Sequence, residues 1–463
     1  MEEIWKHAVL PERMDGKWIA EFLMSLVLPL LILLVRPIGL DLRQSTVVAA
    51  VVLAIIWWSS GIVKKIPAAV FLLAAFFLTS GTGYKTVFAF PLSETFPMLV
   101  ITYLFSRAIS NAGIIDKIFS PVLQKVVHTP FECLLAAVVS FYLTMYVIPQ
   151  PLARLIIVAA VFDRFLKKAG VDQALYSAMM YGVFLFYAVV NMSAKDADMI
   201  MNHVAADFAG GAITNGMWMK AMFVPTLFCC VLILLLFMCI FHRQLAGKRI
   251  RITDTGKTEP FTAAEKQALI IVVITVLLWV TQGIHGINNT LISLISTILL
   301  FGIGILHKRD LNAIDVTTLI FLTAAFSIGG VMKACGAADK VFGLLQGIFP
   351  AQLSPAYFLI MVLAAMLLHM VLGSNTTTLS VVVPGMILLC GNLVPQEVIV
   401  YIAIVSVSFH AVLPFHSVSL MIGSSDGYFP PGYVTRLGVP LTALVYLSVL
   451  LLFLPYWHLI GLL

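Results

Sequence analysis

Asn375 lies in the run LLHMVLGSNTTTLSVVVPGM, residues 367–386, where a glycine and five polar residues interrupt an otherwise apolar segment. In hydrocarbon every backbone polar group has to be satisfied internally, so such a break survives only buried in protein or lining a cavity. A half-helix beginning at Ser374, Asn375 and Thr376 aims free N–H groups and the positive end of its dipole into that cavity, which suits an anion. A second break, Pro149-Gln150-Pro151, has different chemistry. Proline removes a backbone donor and disfavours helix in the residue before it, whereas glycine permits an open turn.

The elements that must hold these breaks are membrane spans. A chain of 463 residues that is 61% hydrophobic and 11% charged, with a mean hydropathy of +1.04, is too apolar for a soluble protein of its size. A span needs ~20 mostly apolar residues, and by that measure the chain holds roughly a dozen spans or half-spans. The expected fold is an all-α polytopic membrane protein with about 11–13 spans. The opening MEEIWKHAVLPERMDGKW is mixed in charge and lacks the regions of a signal peptide, so the first span is expected to stay in the mature chain.

The net charge of +6 sits largely in loops and speaks to topology; no basic-aromatic stripe points to nucleic acid. HRQLAGKRIRITDTGK (242–257) and HKRD (307–310) both read as cytoplasmic. The six cysteines lack CxxC or Cys/His ligand spacing, so neither a disulfide framework nor a zinc site is expected.

The long basic loop falls near the middle of the chain, between the two copies of an internal repeat. GIIDKIF (113–119) recurs as GAADKVF (336–342), TPF (129–131) as SPA (354–356), and Val-Pro at 224–225 as Val-Pro at 439–440, with offsets of 223, 225 and 215. At offset 225 Gln150 falls on Asn375. The organisation expected is an N-terminal segment and first span over 1–44, a first repeat over 45–241, a basic cytoplasmic linker over 242–265 and a second repeat over 266–463. Two halves broken at the same relative position are what inverted-repeat secondary transporters show, with the site between the breaks near the bilayer midplane.

Residues 45–460 resemble the divalent anion/sodium symporters, carriers of dicarboxylates, citrate and sulfate within the wider ion transporter superfamily. The resemblance rests on Ser374-Asn375-Thr376, on AFSIGGVMKACGAADKVF (325–342) and on LPFHSVSLMIGSSDGYFPPGYVTRLG (413–438), which is similar to the family's second hairpin and its exit. It implies re-entrant hairpins, a homodimer of scaffold and transport domains, and an elevator movement. It also implies that the Ser-Asn-Thr side chains contact the substrate carboxylate and help enclose a sodium ion. The chain departs from the family in its first half, where Pro149-Gln150-Pro151 replaces another Ser-Asn-Thr. The usual hairpin tips are replaced by Asn191-Met192-Ser193 and His416-Ser417-Val418-Ser419. Sodium wants several oxygen ligands: Ser374, Asn375, Thr376 and Ser417 supply them in the second half, whereas the first offers mainly Gln150, Asn191 and Ser193.

Arg154 lies one helical turn past the first break, at a depth where an arginine costs at least ~2.5–3.5 kcal/mol. It is read as a partner for a substrate carboxylate or sulfonate, a fixed positive charge in place of a missing sodium; the bland reading is snorkelling, or pairing with Asp163 or Glu132. Arg107 is read in the same way, near a helix end. Histidines titrate in the physiological range, so His369, His410 and above all His416 at the second tip permit proton coupling. Lys195, Asp196 and Asp198, just after the first tip, read either as lining the pathway or, as three charges in four residues usually do, as a solvated turn, and Asp116-Lys117 and Asp339-Lys340 read as anchors of the repeated segments at the water interface. There is no HExxH, GxSxG or phosphate-cradling loop, so no enzyme is expected.

The function expected is secondary active transport of a C4-dicarboxylate, citrate or sulfate across a cytoplasmic membrane. Sodium is the expected coupling ion and no other cofactor is called for. Substrate contacts are assigned to Ser374, Asn375, Thr376, Gln150, Arg154, His416 and Ser417. The alternatives are proton coupling, anion exchange, a channel or an anion sensor.

Overall fold

The computed structural model describes residues 16–463 apart from 94, 211, 252–259, 344–346, 348, 351, 373–374, 391–392 and 414–415. Among the described residues every regular element is helical, as the sequence predicts. Among these residues five helical stretches are long and apolar enough to cross a membrane, and a set of shorter apolar helices accompanies them. Helix α1 (Gly16–Val35) turns most of its large apolar side chains outward, as a lipid-facing span does.

The two halves run through the same series of elements. The first contains α2 (Leu42–Ser60), α3 (Lys65–Thr79), α4 (Thr95–Asn111), α5 (Ile114–Val126), α6 (Pro130–Thr144), α7 (Pro151–Lys168), α8 (Gln173–Asn191), α9 (Met201–Phe208) and α10 (Asn215–Ile240). The second contains α11 (Ala263–Val280), α12 (Asn289–Gly302), α13 (Val316–Ala334), α14 (Ala337–Gly343), α15 (Pro355–Leu372), α16 (Asn375–Cys390), α17 (Gln396–Ser408), α18 (Val418–Ser425) and α19 (Pro431–Ser448). The breaks fall between α6 and α7 and between α15 and α16. The hairpins are α8 with α9 and α17 with α18.

Equivalent backbone turns mark the repeat. Gly113 and Gly336 stand between α4 and α5 and between α13 and α14, with φ of 60° and 72°. Only a residue without Cβ adopts that left-handed region freely, which accounts for glycine at both positions. The halves also exchange helices, since α4 packs on α12 and α13 packs on α3.

A pair of lysines closes this exchange. Helices α2 and α11 both begin with capping boxes, Asp41 with Gln44 and Thr262 with Glu265, each satisfying two otherwise orphaned N–H groups. Lys117 of the first half reaches Glu265 at 2.6 Å, and Lys340 of the second reaches Gln44 Oε1 at 2.9 Å and the Gly39 carbonyl at 2.6 Å. Each lysine thus ties its own short helix to the third helical residue of the other half's opening helix.

Helices α8 and α17 are the innermost. Every residue from Val398 to Ser408 is buried, and α8 is nearly as enclosed. Helices apolar on all sides belong in the centre of a bundle. Between helices in lipid, close packing and hydrogen bonds replace the hydrophobic drive. Gly438 of α19 shows how close that packing is, because a Cβ there would stand 2.3 Å from the Ala411 carbonyl oxygen.

Candidate functional site

The first break is organised by two side chains. Gln150 is the N-cap of α7; its side-chain oxygen accepts the Ala153 N–H, and its own N–H donates to Ser106 Oγ at 3.1 Å. Pro151 follows at the first helical position, where its missing N–H costs nothing. Arg154 is fully buried and turns back toward the break. Its Nη1 donates to the carbonyls of Met145 at 3.1 Å and Ile148 at 2.8 Å, and its Nη2 to Asn191 Oδ1 and the Ala197 carbonyl. One guanidinium therefore fastens the break to the first hairpin tip, surrounded by four oxygens.

The tip is fixed on its other side by Asn202, whose Nδ2 donates to the carbonyls of Asn191 at 2.7 Å and Ala194 at 2.9 Å. The Ser193 hydroxyl donates to the Val190 carbonyl. Trp218 Nε1 donates to the Met192 carbonyl at 2.8 Å.

In the second half, α16 opens at Asn375. Ser374 lies outside the described residues. The Asn375 carboxamide Nδ2 rests against Met201 Sδ at 3.8 Å, a weak contact. Its Oδ1 is buried with no donor in hydrogen-bond geometry, although the His369 imidazole is close enough to interact with it. Ser408 Oγ, at the end of α17, is likewise buried without a partner. Ser417 and Ser419 share a hydrogen bond at 2.8 Å.

The three histidines support the second tip. His369 Nε2 donates to the His416 carbonyl at 3.0 Å, which leaves its Nδ1 to accept from His410 Nδ1 at 3.4 Å. His416 Nδ1 in turn accepts the N–H groups of Val412 and Leu413, both at 3.4 Å. Each ring's tautomer follows from a neighbour it holds in place.

Both halves meet at a cavity of about 90 Å³. Pro151, Asn191, Asp198 and Asn202 line it from the first half, and Asn375, Thr376, Ser408, Ser417 and Ser419 from the second. A wider vestibule of about 770 Å³ lies on another face of α9, where Lys195, Asp196 and His203 join Lys333 of α13.

Of the residues singled out by sequence, Asn191, Asn375, Thr376 and Ser417 come together in the cavity wall. Gln150 stands behind its neighbour Pro151, while Arg154, Ser193 and His416 are buried around the cavity without lining it. Arg107 pairs with Asp310 at 3.0 Å, a contact between α4 and the loop before α13. The reading of Lys195, Asp196 and Asp198 as a solvated turn is corrected for Asp198, which is only 4% exposed. Its Oδ1 accepts the N–H groups of Ile200 and Met201 at 2.9 and 2.8 Å, so α9 itself draws the carboxylate inward. Asn202 and Ser408 carried no sequence signal of their own, whereas Ser419 belongs to the second tip that the sequence marks. The repeat places Asn191 opposite His416, so the tips could be found but not the side chains that line the space between them.

The model of the sodium:sulfate symporter transmembrane region matches residues 16–463. Among solved structures the chain is similar to the Alcanivorax borkumensis YdaH transporter, at 15% identity and a TM-score of 0.56 over 90% of this chain and 98% of that one. Identity that low speaks for the fold alone, an arrangement of transporter helices. With broken helices meeting at one polar cavity and a family match over nearly its whole length, the chain belongs to the sodium:sulfate symporter family, the divalent anion/sodium symporters it resembles, as a multi-pass membrane transporter of anions.

Proposed function

We propose that the protein is a sodium-coupled carrier of a compact dianion, with the anion and one sodium ion sharing the 90 Å³ cavity. Asn375 Oδ1 carries this reading. A buried carboxamide oxygen is an acceptor only, so it cannot face an anion's oxygens and calls for a cation or a donor. With Ser408 Oγ also unpartnered in the same wall, the two oxygens form the nucleus of a sodium site. Thr376, Ser417 and Ser419 bring hydroxyl donors that suit the anion. Water's share of the liquid is ~30 Å³, so the cavity has room for roughly three waters. That size favours compact sulfate first, a C4-dicarboxylate after it and citrate least.

The first half has no need of a second sodium. Its oxygens at Met145, Ile148, Asn191 and Ala197 surround the Arg154 guanidinium, a permanent positive charge in the position of an exchangeable one. The exchanged helices α2, α3, α4, α11, α12 and α13 suit a scaffold, and the hairpins with the broken helices suit a moving transport domain, in keeping with the family's elevator mode, two repeats and homodimeric assembly in a cytoplasmic membrane.

The test is uptake of labelled sulfate, succinate and citrate into proteoliposomes with sodium and proton gradients imposed separately. Sodium-driven uptake of sulfate or succinate is expected. Uptake indifferent to sodium would refute the cation site, and no uptake of any anion would refute transport of this class.

A further inference from the structure

Asp198 is the one carboxylate among the described residues lining the small cavity, where its negative charge opposes an entering anion. Its Oδ1 is occupied by the N–H groups of Ile200 and Met201, while no hydrogen bond of its Oδ2 is found among the described residues. The neighbouring cation does not neutralise it by contact, because both terminal nitrogens of Arg154 are committed to carbonyls and to Asn191. The ionisable groups close enough to interact with Asp198 are Arg154 of α7, Tyr187 of α8, His203 of α9 and Tyr103 of α4. With Asp198 ionised, the full charges of Arg154 and Asp198 cancel and nothing fixed in the first half offsets an entering dianion. With Asp198 protonated, the Arg154 charge is left over.

We propose that Asp198 is the proton-coupling group of this carrier, binding one proton together with the anion and releasing it on the other side of the membrane. Binding linkage is reciprocal: an anion that prefers the acid form of Asp198 pulls a proton on, and a proton on Asp198 tightens the anion. The proton also has a route. Asp198 sits just ahead of α9, whose next residues turn two ways, with Met201 and Asn202 lining the small cavity and His203 lining the larger vestibule. His203 is paired there with Asp196 at 3.0 Å, an acid–base pair between Asp198 and bulk water. The proton moves on and off Asp198 Oδ2 without any other bond changing. This inference rests on the transport reading and adds a second coupling ion to it.

The decisive measurement needs only the wild-type protein. Proteoliposomes with equal sodium on both sides are given external sulfate, which stays doubly charged across the working pH range, or succinate above pH 7, and internal pH is followed by dye alongside labelled uptake. One proton entering per anion is expected, together with an anion Kd that rises up to tenfold per pH unit once Asp198 ionises. Anion movement without acidification, or a Kd flat from pH 5 to 9 for sulfate, overturns the inference. Counterflow of labelled against unlabelled anion, with no gradient, separates the two readings: if it is absent the carrier reading fails, and if it is present without protons only this one does. Asp198→Asn keeps the capping oxygen for Ile200 and Met201. It is expected to retain counterflow and to lose both the acidification and the pH dependence; an Asn variant that still moves protons with the anion overturns the assignment to Asp198.

Discussion

Replacing Arg154 probes the join between the first break and the first hairpin. The guanidinium serves four acceptors in the protein interior. Lysine keeps the charge but has only three donors, so Arg154→Lys leaves at least one buried acceptor unpaired, a loss of about 1–3 kcal/mol. Arg154→Met removes all four bonds and strips Asp198 of its countercharge. The bonds share one group and do not add, so four buried acceptors left unpaired together cost less than their sum, about 3–5 kcal/mol. For a chain of this length that corresponds to a melting point lower by roughly 1–3 °C for lysine and roughly 3–5 °C for methionine. The assay is thermal unfolding of the purified protein in detergent, followed by tryptophan fluorescence. Adding Asp198→Asn to Arg154→Met should recover part of the loss, since the uncompensated carboxylate is then gone. A methionine variant that melts within about 1 °C of wild type, or one made worse by Asp198→Asn, would refute the account of Arg154 as a charged brace.

Four further outcomes are expected. Asn375→Ala should abolish sodium-driven uptake while the protein remains folded in the membrane; wild-type uptake by the purified variant would remove Asn375 from the site. Ser408→Ala should weaken sodium activation roughly three- to tenfold, the ~0.5–1.5 kcal/mol of one polar contact, with the anion's saturation little changed at high sodium; an unaltered sodium titration would count against Ser408 as a ligand. Gly438→Ala should lower stability by about 1–3 kcal/mol through overpacking, because its Cβ would meet the backbone of Ala411 and Val412 at 2.3 and 2.8 Å, and an unchanged melting point would contradict that approach. Lys117→Met should destabilise the protein more at low salt than at high salt, since Lys117 faces the Glu265 carboxylate. Lys340→Met, which loses neutral partners, should show the same loss at both, and matching salt profiles would argue against the pairings described.

Much of the fold was legible because its signals are local. The GIIDKIF and GAADKVF repeat announced both halves, and its glycines take the left-handed turn in each. The breaks at Gln150 and Asn375 showed as interruptions of apolar runs, and both border the cavity. What the sequence hid was direction. Arg154 read as a substrate ligand because a deep arginine needs a partner, yet its partners are protein oxygens from three segments separated by up to 43 residues. Asp198 read as solvated because it follows Lys195 and Asp196, and it is the folding of α9 against the tip that takes it inside. Ser408 gave no signal, being one of several serines in an apolar helix, and its role depends on the Asn375 oxygen that α16 places in the same wall.

The reciprocal lysine contacts bear on the history of the molecule. A contact between one half's lysine and the other half's opening helix, made twice, is the geometry of an isologous dimer, in which the same patch on two identical subunits meets itself. Two half-length units fused in tandem, with a former subunit boundary between the capping boxes, would leave this arrangement. Halves joined in one chain are free to differ where identical subunits are not. Here one latch is Lys-Glu and the other Lys-Gln, and of the two breaks one surrounds a guanidinium while the other turns the Asn375 oxygen toward the cavity. Such a division of labour is unavailable to a symmetric homodimer, where any arginine gained on one side is gained on both.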